Sequence, residues 1–157
     1  NFDATDWQLQ QLVREIGAQG QIQAYVDHTG HSLWHALVEF AGWPERALAF
    51  KANLLPSALA AFCQSIEPDC ALRAHAGNGI VLGQWPAGLT LERAASMLTS
   101  WRTRAAQAQG GVVVPCCPPE WKPTLNVWGP PPSDIALMRQ VKAAFDPKNI
   151  FNPGRFI

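Results

Sequence analysis

Two short stretches of the chain carry polar side chains at every second position. Lys51 and Asn53 alternate with apolar residues in one stretch, and Arg73 and His75 do so in the other. Successive side chains of a strand point to opposite faces of a sheet, so all four are expected on the face that packing helices leave uncovered. A positive, hydrogen-bonding surface of this kind suits an anionic ligand. The alternative is that the four simply face water, as on any antiparallel sheet with one covered face.

The C-terminal stretch holds a second candidate site. Asp146 and Pro147 follow an apolar helical pattern and are expected to end the helix, and Asn152 begins an Asn-Pro-Gly turn. That turn would present Arg155 in a fixed direction, and a guanidinium suits a carboxylate or a phosphate. A plain helix stop followed by a tail is the alternative interpretation.

The histidines and cysteines do not indicate a metal centre. His28, His31 and His35 are close in sequence but lack a spacing typical of metal ligands, and a single histidine at position 75 is a poor metal site. No Cys-x-x-Cys pair is present. Free thiols are therefore expected at all four cysteines, which are Cys63, Cys70, Cys116 and Cys117.

Composition excludes two classes of protein. The chain has 12 basic and 12 acidic residues, so it lacks the basic excess of a nucleic-acid binder. No apolar run approaches the roughly 18 residues of a membrane span. Its 157 residues fit one domain. Asn1 opens the chain without a charged-then-apolar leader, and a cleavage or fragment boundary is expected there.

The segment 46–114 is predicted to form a β-α-β-β-α-β unit. Apolar residues at every second position predict strands at 46–55, 71–76, 80–85 and 112–114. Apolar residues at helical spacing predict helices at 57–66 and 90–108. Asn78-Gly79 predicts a tight turn between the second and third strands. This order is that of the ferredoxin-like fold, an α+β class in which an antiparallel sheet carries its helices on one face.

Further elements are expected on both sides of this unit. Thr5 and Gln8 have capping-box spacing at the start of a first helix. Apolar runs at 21–27 and 32–41 are expected as strands, although the second also fits a helix. Ser133 is expected to cap a last helix. The apolar stripe of that helix is formed by Leu137, Met138, Val141 and Phe145.

The tail closely resembles the C-terminal signature of FAD-linked oxidases of the vanillyl-alcohol oxidase superfamily. Residues 145–155 read Phe-Asp-Pro-x-x-Ile-x-Asn-Pro-Gly-Arg. Lys-Ala-Asn-Leu-Leu-Pro-Ser at 51–57 and Val-Trp-Gly-Pro-Pro at 127–131 resemble the E-type subunit of bacterial glycolate oxidase. His-Ala-Gly-Asn-Gly-Ile at 75–80 resembles a shortened His-x-Gly-Asp-Gly-Asn-x-His motif of D-type subunits, without its Asp and second His. The resemblance covers most of residues 46–157.

This resemblance implies that residues 1–157 are the C-terminal cap, or substrate, domain of a flavoenzyme. FAD would be bound mainly by an N-terminal domain that this chain lacks, and would accept a hydride from a 2-hydroxy acid, glycolate becoming glyoxylate. The implied roles are catalysis for His75, substrate contact for Lys51, Arg73 and Asn78, and contact with the flavin or the domain interface for Asn152 and Arg155.

The resemblance also implies partners and a location. The partners are the N-terminal FAD domain, the D-type flavoprotein and an iron–sulfur subunit, and the location is the cytoplasm or, through those subunits, the inner membrane. Two alternatives stay open: another FAD-linked oxidase such as a D-lactate dehydrogenase, or a non-catalytic module that docks subunits. By itself the chain is expected to hold no flavin tightly and to oxidise nothing, because it has no glycine-rich phosphate loop.

Overall fold

Two helices belong to the first unit of the chain, Asn1–Glu39. The computed structural model describes residues 2–17, 28–42 and 46–153. Helix α1 spans Phe2–Gly17 and helix α2 spans His28–Val38, and a 3-10 turn follows at Glu39–Gly42. The first helix is as predicted, but it begins three residues before Thr5, so Thr5 lies inside the helix and does not cap it.

The strand expected at 32–41 is wrong, because α2 and the 3-10 turn occupy this segment. Leu33 and Leu37 are four residues apart, as are Trp34 and Val38, and this spacing is the helical repeat. The helical alternative for this run is therefore the correct one. The strand expected at 21–27 lies outside the described residues.

The second unit, Phe40–Ile157, is built on a four-stranded sheet. Its strands are β1 (Arg46–Asn53), β2 (Ala71–His75), β3 (Ile80–Pro86) and β4 (Gly111–Cys116). They lie in the order β2-β3-β1-β4, and each neighbouring pair is antiparallel. The predicted ferredoxin-like order and the α+β class are confirmed.

Both helices of the β-α-β-β-α-β unit pack on one face of this sheet. Helix α3 spans Leu59–Gln64 after a 3-10 turn at Pro56–Ala58, and helix α4 spans Leu91–Gln107. Their apolar side chains and the alternate apolar residues of the strands form one buried cluster, whose largest fully buried members are Leu48, Phe50, Val81, Leu98 and Trp101. The apolar face predicted for β1 is therefore the face that α3 and α4 cover.

The centre of this cluster depends on a glycine. Gly83 lies directly opposite Phe50 in the pairing of β3 with β1. A Cβ built on Gly83 would lie 2.1 Å from Cε1 of the Phe50 ring. The same ring contacts Trp101, with 4.5 Å between the ring centroids. Phe50 therefore fills the space that a side chain at position 83 would need, and it has Trp101 of α4 beside it.

The turn between β2 and β3 depends on a second glycine. Gly79 has φ +68°, in the left-handed region, and a Cβ there would lie 1.9 Å from the carbonyl oxygen of Leu54. The N–H of Leu54 donates to the carbonyl of Gly79 at 2.8 Å. The predicted Asn78-Gly79 turn is present, with Asn78 as the last residue of a 3-10 turn at Ala76–Asn78.

The C-terminal part of the chain adds two helices. A 3-10 turn at Pro119–Trp121 leads into α5 (Lys122–Leu125), and α6 spans Ile135–Phe145. Ser133 does not cap α6, since Asp134 holds the N-cap position and makes no side-chain capping bond. The predicted apolar stripe is largely exposed: Leu137 is 59%, Val141 49% and Phe145 84% accessible. Among the described residues, no helix combines the length and apolar character needed to cross a bilayer.

The replacement Gly83→Ala tests the contact with Phe50. We expect it to lower the free energy of unfolding by roughly 1–3 kcal/mol, the usual cost of forcing extra volume into a packed core. Gly77→Ala is the matched control, because a Cβ at Gly77 meets nothing within 4 Å. Urea unfolding measures both. In a Phe50→Leu background the cost of Gly83→Ala should shrink, and an unchanged cost would contradict the proposed contact.

Candidate functional site

The register of the sheet places the four predicted polar side chains on one face. Arg73 pairs with Leu82, which pairs with Lys51, so these three side chains form one row across β2, β3 and β1. His75 pairs with Ile80, which pairs with Asn53, and forms the next row. Both rows lie opposite the face covered by α3 and α4, because the core residues occupy the alternate positions. Arg73 and Lys51 are two strands apart, roughly 10 Å.

Arg73 and His75 contact each other directly. The Nε of Arg73 donates a hydrogen bond of 3.1 Å to Nε2 of His75. Nε2 is therefore the unprotonated ring nitrogen in this arrangement, and the ring proton is on Nδ1. Both side chains are half-buried. Arg73 thus occupies the one nitrogen of His75 that could accept a proton.

Asn78 lies apart from this pair, at the tip of the β2–β3 hairpin. It follows His75 by three residues and its side chain is exposed. The hairpin tip adjoins the row of His75, because His75 and Ile80 are the last pair of the ladder before the turn. Asn78 therefore lies, with an exposed side chain, at the end of the sheet where the row of His75 ends.

After α6, the side chain of Asp146 binds the backbone of the residues that follow it in the Asp-Pro signature. This carboxylate is only 6% accessible and accepts the backbone N–H groups of Ile150 and Phe151, each at 2.9 Å. The ammonium of Lys142 pairs with the same carboxylate and also donates to the carbonyl of Phe151 at 2.5 Å. We call residues 142–151 the C-terminal hook.

The charge state of the hook depends on Asp146. Desolvation by burial raises the pKa of Asp146, but the hydrogen bonds from Lys142, Phe151 and Ile150 and the charge of Lys142 lower it, and the net pKa lies below the ordinary 3.8. The signature thus has a physical role of its own, which is to fix the chain direction after α6. Asn152 follows the hook with an exposed side chain and a φ of +47°. Arg155 lies outside the described residues.

Arg102 on α4 fixes the segment 125–129, and sequence reasoning missed it. Its guanidinium donates to the carbonyls of Val112 (3.3 Å), Leu125 (3.0 Å) and Asn126 (2.5 Å). Burial lowers the pKa of Arg102. A three-carbonyl contact uses the planar fork of arginine, which lysine lacks. The Trp-Gly-Pro-Pro segment therefore starts from a fixed position beside β4.

Gln84 on β3 is a second residue that sequence reasoning missed. It lies on the same uncovered face as Arg73 and Lys51, in the row that joins Ala71, Gln84, Ala49 and Cys116. A cavity of about 260 Å³ opens there. Gln84 lines it, is only 4% accessible, and its Nε2 has no hydrogen-bond partner in the part of the chain that the structure describes. The sequence feature that could have drawn attention to Gln84 is a polar residue inside a predicted strand, next to Gly83.

The four sulfurs are unbridged. Burial raises the pKa of the Cys70 thiol to about 12; a backbone hydrogen bond from Gln84 lowers it and the charge of Glu67 raises it. Burial also raises the pKa of Cys63 and of Cys117. Within the described ranges, no three His, Cys, Asp or Glu side chains are grouped to hold a metal ion.

Thiol labelling tests whether Cys70 is as unreactive as its burial and raised pKa indicate. In denaturant all four cysteines should react in a reduced preparation. In the native chain at pH 8, Cys70 should stay unlabelled, because a thiol with a pKa of about 12 is thiolate in only about one molecule in ten thousand. Mass spectrometry of digested, labelled protein locates each adduct, and rapid native labelling of Cys70 would contradict its burial.

Acid titration tests the C-terminal hook. The pKa of Asp146 is depressed in the folded chain, so its stabilising bonds are fully formed above the ordinary value of 3.8 and are lost as the pH falls through the lower folded pKa. NMR shifts of the Ile150 and Phe151 amides should follow that loss. Lys142→Met should move the transition to higher pH, whereas Lys148→Met, which alters an exposed neighbour, should not. Identical titrations for the two variants would contradict the role of Lys142.

Comparison with known proteins bears on the same segment. Residues 130–156, which contain α6 and the C-terminal hook, match the family described as FAD linked oxidases, C-terminal domain. No curated protein gives a significant match, and no solved structure does. The family match supports the interpretation of the chain as a C-terminal domain of the FAD-linked oxidases, a family of flavin-dependent oxidoreductases.

Proposed function

We propose that the chain is the substrate-covering domain of an FAD-dependent oxidase of the glycolate oxidase E type, which converts glycolate to glyoxylate. The observation that carries the proposal is the grouping of Lys51, Arg73 and His75 on the uncovered face of the sheet. A carboxylate over this face meets two cationic side chains and an imidazole. The family match of residues 130–156 supports a flavin as the electron acceptor.

The described residues suit covering a flavin better than holding its phosphates. Helix α4 begins after its N-cap residue Thr90, and the carboxylate of Glu92 in its first turn would repel a phosphate. The uncovered sheet face has a mixed surface, with half-buried Leu82 between Arg73 and Lys51 and half-buried Ile80 between His75 and Asn53. When bound, FAD would supply the hydride acceptor. We assign its phosphates to the preceding domain and the interface contacts to Asn152 and Arg155.

The Arg73–His75 pair gives the domain a way to couple binding to proton transfer. The carboxylate of a 2-hydroxy acid offers Arg73 an ion pair, which is stronger than its bond to a neutral ring nitrogen. Arg73 then leaves Nε2 of His75, and this nitrogen accepts the proton of the 2-hydroxyl group. The hydrogen on C2 leaves with its bonding electrons as hydride, which bound FAD would accept, so the acid gives up two electrons and two protons in total and becomes a 2-oxo acid. Lys51 and Asn78 complete the polar contacts.

A docking role is the second candidate function, and the exposed stripe of α6 favours it. Leu137, Val141 and Phe145 are all more than a third accessible, and Ile150 and Phe151 of the C-terminal hook are 66% and 64% accessible. An apolar surface of this kind is typical of an interface. The N-terminal FAD domain, a D-type flavoprotein and an iron–sulfur subunit are the proposed partners. Their assembly would bring an otherwise cytoplasmic protein to the surface of the inner membrane.

Variants of the full-length flavoprotein separate these roles. Arg73→Gln should raise KM for glycolate at least about tenfold, because it removes a bidentate partner of the carboxylate. His75→Gln should lower kcat by about a hundredfold or more, the usual contribution of a positioned general base. Steady-state kinetics with glycolate and with D-lactate measure both effects and the substrate choice.

Arg104→Gln is the control, since Arg104 is exposed in the last turn of α4, away from the proposed site. All variants should retain the flavin absorbance of the parent. Wild-type turnover in both Arg73→Gln and His75→Gln would rule out the proposed site and would leave docking as the function that the remaining observations favour.

A further inference from the structure

We propose that His31 and His35 of helix α2 form a binding site for a divalent transition-metal ion of the zinc and nickel class. The two residues are four positions apart on α2, and both side chains are exposed. They belong to the first unit of the chain, Asn1–Glu39, whereas the sheet belongs to the second. The proposal therefore does not depend on the oxidation proposed above.

The helical structure of this segment brings the two imidazoles together. On a strand, such as the one expected at 32–41, residues four apart are separated by roughly 13 Å. On a helix the same two residues lie one turn apart on one face, with roughly 5–6 Å between their Cβ atoms. The histidine spacing that did not indicate a metal site in the sequence therefore becomes a metal-binding spacing once residues 28–38 are helical.

Two histidines with this spacing on a helix can bind one metal ion through both rings. Helical His-Glu-x-x-His motifs hold zinc in this way, at metal–nitrogen distances of roughly 2.0–2.1 Å. Here the segment reads His31-Ser-Leu-Trp-His35, so Ser32 stands where a metalloprotease has its general base. The pair therefore accounts for metal binding and not for hydrolysis.

The surroundings of the pair favour a cation. His35 is in the last turn of α2, where the helix dipole places partial negative charge. Glu39 follows His35 by four residues, at the start of the 3-10 turn that continues α2, and its exposed carboxylate adds negative charge. His31 has an interaction partner in the folded chain. That partner does not exclude coordination, because a metal-bound imidazole commonly bonds a second group through its other nitrogen.

Two protein ligands leave coordination positions open. Among the residues that the structure describes, no three His, Cys, Asp or Glu side chains are grouped to hold a metal ion, so Glu39 counts as a neighbouring charge and not as a third ligand. Water, or a ligand from a second molecule, would complete the coordination.

Calorimetric titration of the full chain, prepared without an affinity tag, tests the site with Ni²⁺, an ion that imidazole suits. One Ni²⁺ should bind per chain, whereas Mg²⁺, which prefers oxygen ligands, should not bind. His35→Gln should weaken Ni²⁺ binding at least about tenfold, because the second ring no longer acts from within the same molecule. His28→Gln is the control and should bind as the parent does. The proposal fails if the parent shows no saturable binding of Ni²⁺.

Moving one histidine tests the spacing itself. The double variant His35→Gln/Ala36→His keeps the number of histidines but places two of them five residues apart, about 140° around the helix. It should bind Ni²⁺ as weakly as His35→Gln alone. Circular dichroism should show the parental helix content in both variants, because positions 35 and 36 are exposed.

NMR of the ¹⁵N-labelled chain locates the ion. Paramagnetic Ni²⁺ broadens the amide signals nearest to it, and these should be the signals of residues 31–35. Broadening centred on His75 or Cys116, or parental affinity in the variant with the moved histidine, would overturn the proposal.

Discussion

The contact between Phe50 and the bare backbone of Gly83 fixes the centre of the sheet. The ring occupies the position that a Cβ on β3 would take, and it reaches Trp101 of α4 from there. A strand slipped by one residue would turn Val81 and Trp85 outward and Leu82 and Gln84 inward. The observed register keeps the large apolar side chains under the helices and leaves the polar side chains on the opposite face.

The strands and the two helices of the β-α-β-β-α-β unit were predictable from the sequence, because they share one buried core on one face of the sheet. β1 is the plainest example: Leu48, Phe50 and Ala52 alternate with residues of the uncovered face, and the structure buries the first set. The run 32–41 has no such alternation, and the four-residue spacing within α2 decides its structure. Ser133 fails as a cap for a more local reason, since α6 starts one residue later than its composition indicates.

The features that sequence reasoning missed depend on partners distant in the chain. Arg102 bonds to carbonyls 10 to 24 residues away, and nothing in the sequence of α4 marks it as different from the exposed arginines beside it. Gln84 is unusual only because two alanines flank it on neighbouring strands. A contact between Arg73 and His75 could have been predicted, since residues two apart on a strand share a face. Which atoms form the hydrogen bond depends on side-chain rotamers that the sequence leaves open.

The segments on either side of residues 130–141 are held by groups that respond differently to acid. Residues 125–126 are held by Arg102, whose guanidinium keeps its charge throughout the acid range even though burial lowers its pKa. The C-terminal hook is held by a carboxylate that acid neutralises. In acid, residues 125–126 therefore keep their hydrogen bonds to Arg102, whereas residues 150–151 lose their hydrogen bonds to Asp146. The change from acid-resistant to acid-sensitive contacts falls between residues 126 and 142.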